Sequence, residues 1–487
     1  MQPFCLAIDV GTSSLKAVVY AEDAEILASV SLSYQYQSPH PGWAETSTTV
    51  WLDALDGCLQ SLNHPHDLLK KVQVIAFTGQ MHTAVLLDEN HQPIEPSILW
   101  LDRRAAAETA ELQLVFDLPP YILNSTYTLP KLLWQARHQP YIPDRARHLL
   151  WPKDYLRFIL TGELFTDVTE SGGAGLLNWD TLDWKPEHLQ YTGFDPQILP
   201  PILKPTAQAG RLLPELAKKY NLNPLSKVIT GSGDVLALIS AAPLRKGRLS
   251  VSIGSSSMIY TPLPAGQILK DPQNRIYTYP LLPVPMLGGV SSTSGAALQW
   301  ALNNFYPDTP IEEAVQSALR IPPGSQGVFF TPFLAGERSP FWNDELRAGF
   351  HGLELSHSPA HLIRAVMEGV ALSLRHLIEI FAELDHPIDE IALSGGATRT
   401  PGWPQILADV CQLPVSVYSG QETVTRALYA YACLSEGRAD TFEQAILATF
   451  EEPQTLQPDR DLEATYTAIY RHYRQQVALD LQATQTK

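Results

Sequence analysis

Two copies of one short pattern, about half the chain apart, constrain this fold more than any other feature. Residues 5–20 read CLAIDVGTSSLKAVVY, and residues 248–262 read RLSVSIGSSSMIYTP. In each copy an alternating apolar strand meets a turn of glycine and hydroxyl residues, and a second apolar strand follows. Such a turn can present backbone N–H groups and hydroxyls to a phosphate. The repeat therefore predicts two similar domains that face one nucleotide, although ordinary hairpins would show the same pattern.

Length, charge and cysteine usage limit the class of protein. The chain has 487 residues, 45% hydrophobic and 17% charged content, and a formal net charge of −17. This length favours two domains, and the acidic balance argues against nucleic-acid binding. The four cysteines are scattered without a CxxC pair, and uncharged apolar runs stay well below the ~18 residues of a membrane span. We therefore expect a cytoplasmic protein without a signal peptide, disulfide or zinc site.

Polar side chains follow three predicted strands. Asp9 ends the first strand, Gln80 and His82 follow a buried strand at 72–77, and Asp234 follows a Gly-Ser-Gly turn. In open α/β sheets, ligands bind just beyond the carboxyl ends of the strands. Asp9 can hold hydrated Mg²⁺, the uncharged donors and acceptors of Gln80 and His82 suit a polyhydroxylated ligand, and Asp234 is a candidate general base. A solvated Asp9 and a structural His82 are the open alternatives.

Other candidate groups lie in predicted loops. Trp100 can stack on a sugar face, while Asp102 and Arg103 either fix sugar hydroxyls or pair with each other. In the second half of the chain, the adjacent Glu337 and Arg338 are expected to form a structural salt bridge.

The clearest predicted helix lies in the second half of the chain. Ser358 is a suitable N-cap, Pro359 suits the first turn, and apolar residues recur at spacings of three and four as far as Leu384. A strand at 391–394 then meets a Gly-Gly turn, which leaves room for a planar purine ring. An ordinary strand-to-helix connection would have the same sequence.

Together these segments resemble the FGGY family of carbohydrate kinases along nearly the whole chain. The matching segments are DVGTSSLK at 9–16, GQMH at 79–82, WLDRR at 100–104, GSGD at 231–234, GERSP at 336–340, RAVMEG at 364–369 and SGGA at 394–397. The resemblance implies an α/β fold of two ribonuclease H-like domains, as in the actin, Hsp70 and sugar kinase superfamily, with a nucleotide cleft between them. It implies an N-terminal, sugar-binding domain at 1–244, which carries the first phosphate hairpin, and a nucleotide-binding C-terminal domain at 245–487.

The resemblance also implies a role for each matching residue. Asp234 matches the general base, and Asp9 and Asp234 match the residues near Mg²⁺. The sugar position corresponds to Gln80, Met81, His82, Trp100, Asp102 and Asp234. The ATP-binding positions correspond to Thr12, Ser13, Gly254, Ser255, Ser256, Gly395, Gly396 and Ala397.

The implied reaction is transfer of the γ-phosphoryl group of ATP to a primary hydroxyl of a ketopentose. Within the family, Gln-Met-His is similar to the D-xylulose kinases, which make D-xylulose 5-phosphate. A kinase of gluconate or of another sugar or polyol is the alternative, since some gluconate kinases carry a Met-His pair and a Pro-x-Trp like that at 340–342. A non-catalytic nucleotide switch like actin or Hsp70 is an alternative of another class. We expect a monomer or homodimer.

Three positions depart from the family pattern. Ser257 stands where the second hairpin usually has glycine, Val235 follows the base where Asn or Gln is usual, and Arg426 replaces a small residue at a helix start. We expect Ser257 to tighten the turn or keep its backbone from the phosphate. Val235 should remove one sugar contact, and Arg426 should either crowd the nucleotide or face solvent.

Overall fold

The computed structural model describes residues 2–63, 67–119, 122–264, 266–418 and 422–485. In chain order the strands are β1 (Pro3–Val10), β2 (Ser14–Ala21), β3 (Ile26–Ser33), β4 (Glu45–Thr46), β5 (Val74–Gly79), β6 (Val85–Leu87), β7 (Ser97–Ile98), β8 (His148–Leu150), β9 (Thr166–Asp167), β10 (Leu177–Asn178), β11 (Asp183–Trp184), β12 (Ile202–Leu203), β13 (Gln208–Arg211), β14 (Lys227–Ile229), β15 (Arg248–Ile253), β16 (Ser257–Pro262), β17 (Tyr277–Tyr279), β18 (Met286–Ser291), β19 (Phe329–Thr331), β20 (Gly349–His351), β21 (Glu390–Gly395), β22 (Val415–Val417) and β23 (Gln454–Leu456).

The helices lie between and after these strands in the chain. They are α1 (Thr48–Asn63), α2 (Ala106–Phe116), α3 (Thr128–His138), α4 (Tyr141–Arg145), α5 (Pro152–Thr161), α6 (Val168–Gly173), α7 (Pro186–Tyr191), α8 (Pro214–Lys219), α9 (Ala237–Ser240), α10 (Gly295–Phe305), α11 (Ile311–Leu319), α12 (Pro359–Glu383), α13 (Trp403–Cys411), α14 (Thr423–Ser435), α15 (Phe442–Leu447) and α16 (Glu463–Gln485). Within the described ranges, every helix is too short or too polar to cross a lipid bilayer.

The chain forms two compact units. The first unit comprises Met1–Ser240 and Glu422–Thr449, and the second comprises Ala241–Gln421 and Phe450–Lys487. The segment 422–449 therefore differs from the predicted division at 244, which assigned it to the C-terminal domain. The reason is long-range packing of α14 on β1 and β5. The Tyr20 hydroxyl hydrogen-bonds to Thr425 Oγ1 at 2.9 Å, a pairing that local sequence patterns cannot reveal.

The first unit is built on a six-stranded sheet with the order β13-β14-β5-β1-β2-β3. The hairpin of β1 and β2 is antiparallel, as its sequence predicts, whereas β1, β5 and β14 run parallel. The strands β1 and β5 are buried along almost their whole length because helices α1, α5 and α14 pack on this sheet. The parallel arrangement brings the carboxyl ends of β1, β5 and β14 to one edge of the sheet.

The second unit is built on a seven-stranded sheet with the order β17-β18-β16-β15-β21-β22-β23. From β18 to β23, strand order and direction repeat those of the first sheet read from β3 to β13. The two hairpins with glycine-serine turns occupy equivalent positions in the two sheets. The sequence repeat thus corresponds to a repeat of topology.

The longest helix of the second unit begins where the sequence predicts. The Ser358 hydroxyl and the His361 side chain each accept a hydrogen bond from the other residue's backbone N–H, and Pro359 occupies the first turn. The apolar face of α12 packs against α10, α11, α13 and β19 in the main core of this unit. This helix supports the sheet that carries the second glycine-serine turn.

Candidate active site

The first unit gathers three predicted site segments at one sheet edge. Asp9 lies in β1 in register with Thr78 of β5. Gln80, Met81 and His82 directly follow β5, and the loop after β14 leads into Asp234. The fold therefore places these residues at the carboxyl ends of neighbouring parallel strands, where open α/β sheets bind ligands.

Asp234 begins a short 3₁₀ helix and is exposed to solvent. Enough protein still surrounds its carboxyl group for desolvation to raise the pKa, and the negative charge of Asp9 adds to this effect. Together they raise the pKa of Asp234 to about 7. A carboxylate that holds and releases a proton near neutral pH is suited to general-base catalysis.

Buried hydrogen bonds hold the loop that carries Asp234. The backbone N–H of Gly233 donates to Thr169 Oγ1 at 2.8 Å, and the backbone N–H of Thr169 donates to Asp167 Oδ2 at 2.8 Å. Asp167 also pairs with the Lys153 ammonium at 2.9 Å. These side chains are completely buried, so the loop before Asp234 rests on a rigid ionic network.

That network contains more carboxyl groups than basic side chains. Lys153 and Arg157 pair with Asp154 at 2.6 Å each, and Lys153 also pairs with Asp167. The carboxyl oxygens of the nearby, completely buried Glu170 have no hydrogen-bond partner among the described residues. Desolvation raises the pKa of Glu170 well above its usual value, in spite of the opposing charge of Lys153. Burial without a described hydrogen-bond partner therefore disfavours the charged form of Glu170 inside the first unit.

Asp9 is a second perturbed carboxyl group at this edge. It is half-buried, and desolvation raises its pKa to about 6, with Lys16 opposing and Glu422 adding to the shift. The ammonium of Lys16 is itself paired with Glu422 at 2.7 Å. Asp9 and Asp234 thus present two costly negative charges, which a divalent cation would offset.

Gln80 ties the strand β5 to the first glycine-serine turn. Its Nε2 donates to the Gly11 carbonyl at 3.1 Å, and its Oε1 accepts from the hydroxyls of Thr12 and Thr83 at 3.4 and 3.5 Å. The side chain is almost completely buried. Its amide is therefore occupied within the protein, which differs from the sugar contact that the family resemblance implies.

These bonds orient the turn. The Gly11 carbonyl accepts hydrogen bonds from Gln80 and from the Tyr34 hydroxyl at 2.7 Å. Because the C=O and N–H of a trans peptide point in opposite directions, the N–H of Thr12 points away from this anchored side. Ser13 is exposed, and Thr12 Oγ1 accepts from Trp100 Nε1 at 2.8 Å. Trp100 is thereby held beside the turn with 36% of its surface exposed.

His82 provides an uncharged acceptor. Its Nδ1 lies within hydrogen-bond distance of the Gly173 carbonyl oxygen. A carbonyl can only accept, so Nδ1 carries the proton, and Nε2 of the neutral ring has a free lone pair. Desolvation lowers the pKa of His82 to about 4, so the ring is neutral at physiological pH. The ring also packs against Tyr127, with centroids 4.7 Å apart.

Met81 lies between two segments of the first unit. It is 6% exposed, and a Cβ atom at Gly233 would approach Met81 Cγ to 2.4 Å. Glycine at position 233 therefore allows the loop before Asp234 to pack directly on Met81. The apolar side chain contributes shape rather than hydrogen bonds to this edge.

Asp102 does not pair with Arg103, contrary to one sequence-based alternative. Its carboxylate accepts hydrogen bonds from Arg104, with Nη2 to Oδ2 at 2.7 Å, and from the backbone N–H of Ala44. Arg104 also lies over the ring of Trp43, 3.5 Å from its centroid. Because Asp102 is completely buried in these contacts, it supports the Trp100 segment instead of facing a ligand.

In the second unit, the turn at Gly254–Ser256 has the same design as the first turn. The Gly254 carbonyl accepts from the N–H of Gly295 at 2.9 Å, and the Ser255 carbonyl accepts from Ser294 and Ala296 at 2.9 and 3.1 Å. Both carbonyls thus point at the start of α10. The peptide N–H groups of Ser255 and Ser256 point the opposite way. Neither N–H has a hydrogen-bond acceptor in the described part of the chain, so the pair can receive an anion.

The predicted purine turn lies at the same edge of the second sheet. Ile253, at the end of β15, is in register with Gly395 at the end of β21. Gly395 and Gly396 are exposed, whereas the Ala397 side chain is buried. The two nucleotide-binding segments expected in this half are therefore neighbours.

The remaining departures from the family pattern occupy different places. Val235 is half-buried directly after Asp234. Arg426 lies on α14 and therefore belongs to the first unit. Ser257 is buried, with 3% exposure, and its backbone N–H donates to Ser291 Oγ at 3.1 Å.

The predicted salt bridge between Glu337 and Arg338 is wrong. Glu337 Oε1 accepts backbone N–H bonds from Ser292 at 2.6 Å and from Arg338 at 2.8 Å. The Arg338 guanidinium instead donates to the Ser291 carbonyl at 2.6 Å. Desolvation raises the pKa of the buried Glu337 to about 7. Both residues therefore hold the chain that follows β18.

Sequence reasoning missed several residues that shape the site. Lys131 is buried, and its ammonium donates to the carbonyls of Tyr127 and Trp100 at 3.3 and 3.5 Å, as well as to Thr126. Desolvation lowers its pKa well below the usual value. Sequence reasoning also missed the roles of Glu170 and of the charged α5 residues Lys153, Asp154 and Arg157. Their only sequence signal is charged residues inside segments that otherwise read as buried helices.

Comparison with known proteins agrees with this architecture. Family models for the N-terminal and C-terminal domains of the FGGY family of carbohydrate kinases match residues 4–239 and 249–426. A xylulose kinase of Lactococcus lactis subsp. lactis (strain IL1403) is 29% identical over 97% of this chain and 96% of its own. A gluconokinase of Bacillus subtilis (strain 168) is 28% identical over 97% of this chain and 99% of its own. The crystal structure of gluconate kinase from Lactobacillus acidophilus has a TM-score of 0.89 at 26% identity, covering 98% of both chains.

The repeated sheets and their glycine-serine turns define a two-domain α/β kinase of the actin, Hsp70 and sugar kinase superfamily. The chain belongs to the FGGY family of carbohydrate kinases. The family and fold class predicted from the sequence are thus confirmed. The two relatives named above are kinases whose names give different substrates, xylulose and gluconate.

Proposed function

We propose that this protein phosphorylates a ketopentose with ATP, and that D-xylulose is the preferred acceptor, giving D-xylulose 5-phosphate. The observation that carries the proposal is that a candidate general base and an uncharged hydrogen-bond acceptor lie at the same edge of one sheet. Asp234 is an exposed carboxyl group with a pKa near 7, and His82 is a neutral hydrogen-bond acceptor. The name of the Lactococcus lactis relative, which aligns over nearly the full length of both chains, adds support.

In this proposal Asp234 accepts the proton of the primary hydroxyl. The oxygen of that hydroxyl forms a bond to the γ-phosphorus, the bond from the γ-phosphorus to the bridging oxygen breaks, and ADP leaves with the electron pair. General-base assistance is typically worth about 10²–10⁴ in rate. Positioning and charge stabilisation provide the rest in phosphoryl transfer.

The second unit is proposed to bind the nucleotide. The unpaired N–H groups of Ser255 and Ser256 are donors for a phosphate, and Gly395, Gly396 and Ala397 are assigned to adenosine. In the first unit, the N–H of Thr12 and the exposed Ser13 are assigned to the transferred phosphoryl group. These assignments rest on the equivalent positions that the two glycine-serine turns occupy in their sheets.

Asp9 and Asp234 are the residues proposed to hold Mg²⁺. The described residues contain no cluster of three or more His, Cys, Asp or Glu side chains arranged for a metal. Two carboxylates with raised pKa values nevertheless fit Mg²⁺, which usually keeps water and phosphate ligands. When bound, the ion would neutralise phosphate charge during transfer.

A neutral sugar suits this edge better than an aldonate. Asp9 and Asp234 are acidic, His82 is neutral, and the Lys131 ammonium is engaged by three backbone carbonyls. We assign the sugar hydroxyls to His82 Nε2 and Asp234, the apolar wall to Met81, and a stacking face to Trp100. Gln80 and Asp102 are assigned supporting roles because their polar atoms are occupied.

Gluconate is the second candidate, because relatives named gluconokinase and gluconate kinase match this chain as fully. Release of ADP with Mg²⁺-ATP should be measured over a panel of pentuloses, polyols and aldonates. We expect the highest kcat/KM with D-xylulose. A higher value with gluconate would reassign the substrate within the family.

The same assay separates catalysis from a nucleotide switch. An acceptor-dependent rise in ADP release, lost in Asp234→Ala while ATP binding persists, is expected of a kinase. If no sugar, polyol or aldonate raised the basal rate, a switch that binds a protein partner would be the better assignment.

A further inference from the structure

Three buried serines form a closed ring of hydrogen bonds beneath the second glycine-serine turn. Ser257 is the first residue of β16, Ser291 is the last residue of β18, and Ser294 precedes α10. The Ser257 hydroxyl donates to Ser294 Oγ at 2.7 Å, and Ser291 Oγ and Ser294 Oγ lie 2.7 Å apart. The Ser257 backbone N–H closes the ring by donating to Ser291 Oγ at 3.1 Å. All three are nearly inaccessible to solvent.

The ring is continuous with the turn through Ser294. The backbone N–H of Ser294 donates to the Ser255 carbonyl at 2.9 Å, and the next residue, Gly295, donates to the Gly254 carbonyl. A Cβ atom at position 295 would lie 2.3 Å from that carbonyl oxygen, so the contact between α10 and the turn is as close as glycine permits. A shift of Ser294 would therefore rotate the peptide groups of the turn and redirect the N–H groups of Ser255 and Ser256.

The other side of the ring is fixed by a second pair of residues. Arg338 donates to the Ser291 carbonyl at 2.6 Å, and Glu337 accepts from the Ser292 backbone N–H at 2.6 Å. These contacts hold the chain between β18 and α10. The ring thus connects a restrained segment to an exposed turn.

We propose that the hydroxyl ring of Ser257, Ser291 and Ser294 positions the Gly254–Ser256 turn for binding nucleotide phosphate. This inference rests on the proposed function, in which that turn binds ATP. Ser257 is then a positioning residue that acts through Ser294 and does not touch the ligand.

The test compares four single variants, of which Ser294→Ala serves the double-variant comparison below. Ser257→Ala removes the bond to Ser294, whereas Ser257→Thr keeps the hydroxyl beside a small cavity that Ser257, Thr293 and Leu374 help to line. Ser416→Ala is the control, because Ser416 is also buried and its replacement removes a partly buried hydroxyl bond of 2.9 Å to Thr455 elsewhere in the same sheet. Each variant is characterised by KM for ATP, KM for the sugar, kcat, and ADP affinity by calorimetry.

Loss of one net hydrogen bond in Ser257→Ala should raise KM for ATP and Kd for ADP by about three- to tenfold. KM for the sugar should stay unchanged, and Ser257→Thr and Ser416→Ala should bind nucleotide like the parent protein. A double variant with Ser294→Ala should lose less than the product of the single effects, because the two hydroxyls share one bond.

Hydrogen exchange gives a readout that does not need nucleotide. In Ser257→Ala the peptide that contains residues 254–257 should exchange faster, while α12 keeps its protection. If the parent protein bound ADP and Ser257→Ala bound it equally well, the ring inference would be overturned and the proposed function would stand. If the parent protein bound no adenine nucleotide, both would be overturned.

Discussion

The negative charge of Asp9 raises the pKa of Asp234, and only desolvation raises that pKa more. A general base acts only when it is deprotonated. We therefore expect kcat/KM for the sugar to rise about tenfold per pH unit below pH 7 and to level off above it. Initial rates from about pH 5 to about pH 9 at saturating Mg²⁺-ATP check this. A profile that is flat across neutral pH would remove Asp234 from the role of base.

Asp9→Asn should move that profile to lower pH. Removal of the negative charge stabilises the deprotonated form of Asp234, so the pKa of Asp234 falls. The variant should also need more Mg²⁺ for half-maximal rate, and chelation of Mg²⁺ should stop turnover in the parent protein. A pH profile that did not move would show that the two carboxyl groups are not coupled.

Asp234→Asn should lower the turnover rate and raise the stability of the folded protein. Turnover should fall by about 10²–10⁴, the usual range for a general base. An unfolded aspartate has a pKa of about 3.9, and the folded structure raises the pKa of Asp234 to about 7, so folding binds a proton between these values. The penalty on the folded state therefore grows as pH rises from about 4 to about 7 and is complete above that.

Thermal unfolding measures this penalty. The Tm of Asp234→Asn should exceed that of the parent protein by more at pH 8 than at pH 5. Equal differences at the two pH values would mean that Asp234 has an ordinary pKa in the folded protein.

His82→Asn should weaken sugar binding and leave ATP binding unchanged. The asparagine amide can keep a bond to the Gly173 carbonyl and tolerates the positive φ of 67° at this position, but it lacks the Nε2 acceptor. We expect KM for the sugar to rise about three- to tenfold, the cost of one net hydrogen bond, with KM for ATP unchanged. His188→Asn is the control, because its Nδ1 contacts the Gly175 carbonyl at 3.2 Å elsewhere in the first unit. Equal effects of both variants would argue against a sugar contact.

Glu170→Gln should stabilise the protein increasingly as pH rises. Burial raises the pKa of Glu170 well above the unfolded value of about 4.3, so the folded state retains a proton that the unfolded chain loses. The gain in Tm over the parent protein should be larger at pH 8 than at pH 5. Glu368→Gln is the matched control and should lower Tm, since Glu368 is bonded to Arg364, Tyr466 and Ser325. A pH-independent effect of Glu170→Gln would show that Glu170 is charged in the fold.

Local patterns predicted the elements that carry the site. The hairpin of β1 and β2, the strand β5 and the helix α12 lie within a few residues of their predicted bounds, because periodicity and turn chemistry determine them locally. The positions of Asp9, His82 and Asp234 at strand ends followed from the same patterns. The repeat of topology explains why one turn sequence could be recognised twice.

The hydrogen-bond partners of polar side chains were beyond sequence reasoning. Gln80 looked like a sugar ligand, but its amide is used by Gly11, which lies far away in the chain. Asp102 pairs with Arg104 instead of its neighbour Arg103 because Arg104 is also held between Trp43 and Trp134. Such choices depend on which loops meet in space, and local sequence patterns do not reveal those contacts.

The division of the first unit into two chain segments has a consequence for synthesis on the ribosome. Helix α14 covers β1 and β5, but it is translated only after almost all of the second unit. The earliest hairpin therefore leaves the exit tunnel long before its covering helix exists. Apolar surface on the nascent N-terminal sheet stays uncovered until residues 422–449 have been made, and we expect chaperones to bind that surface during this time.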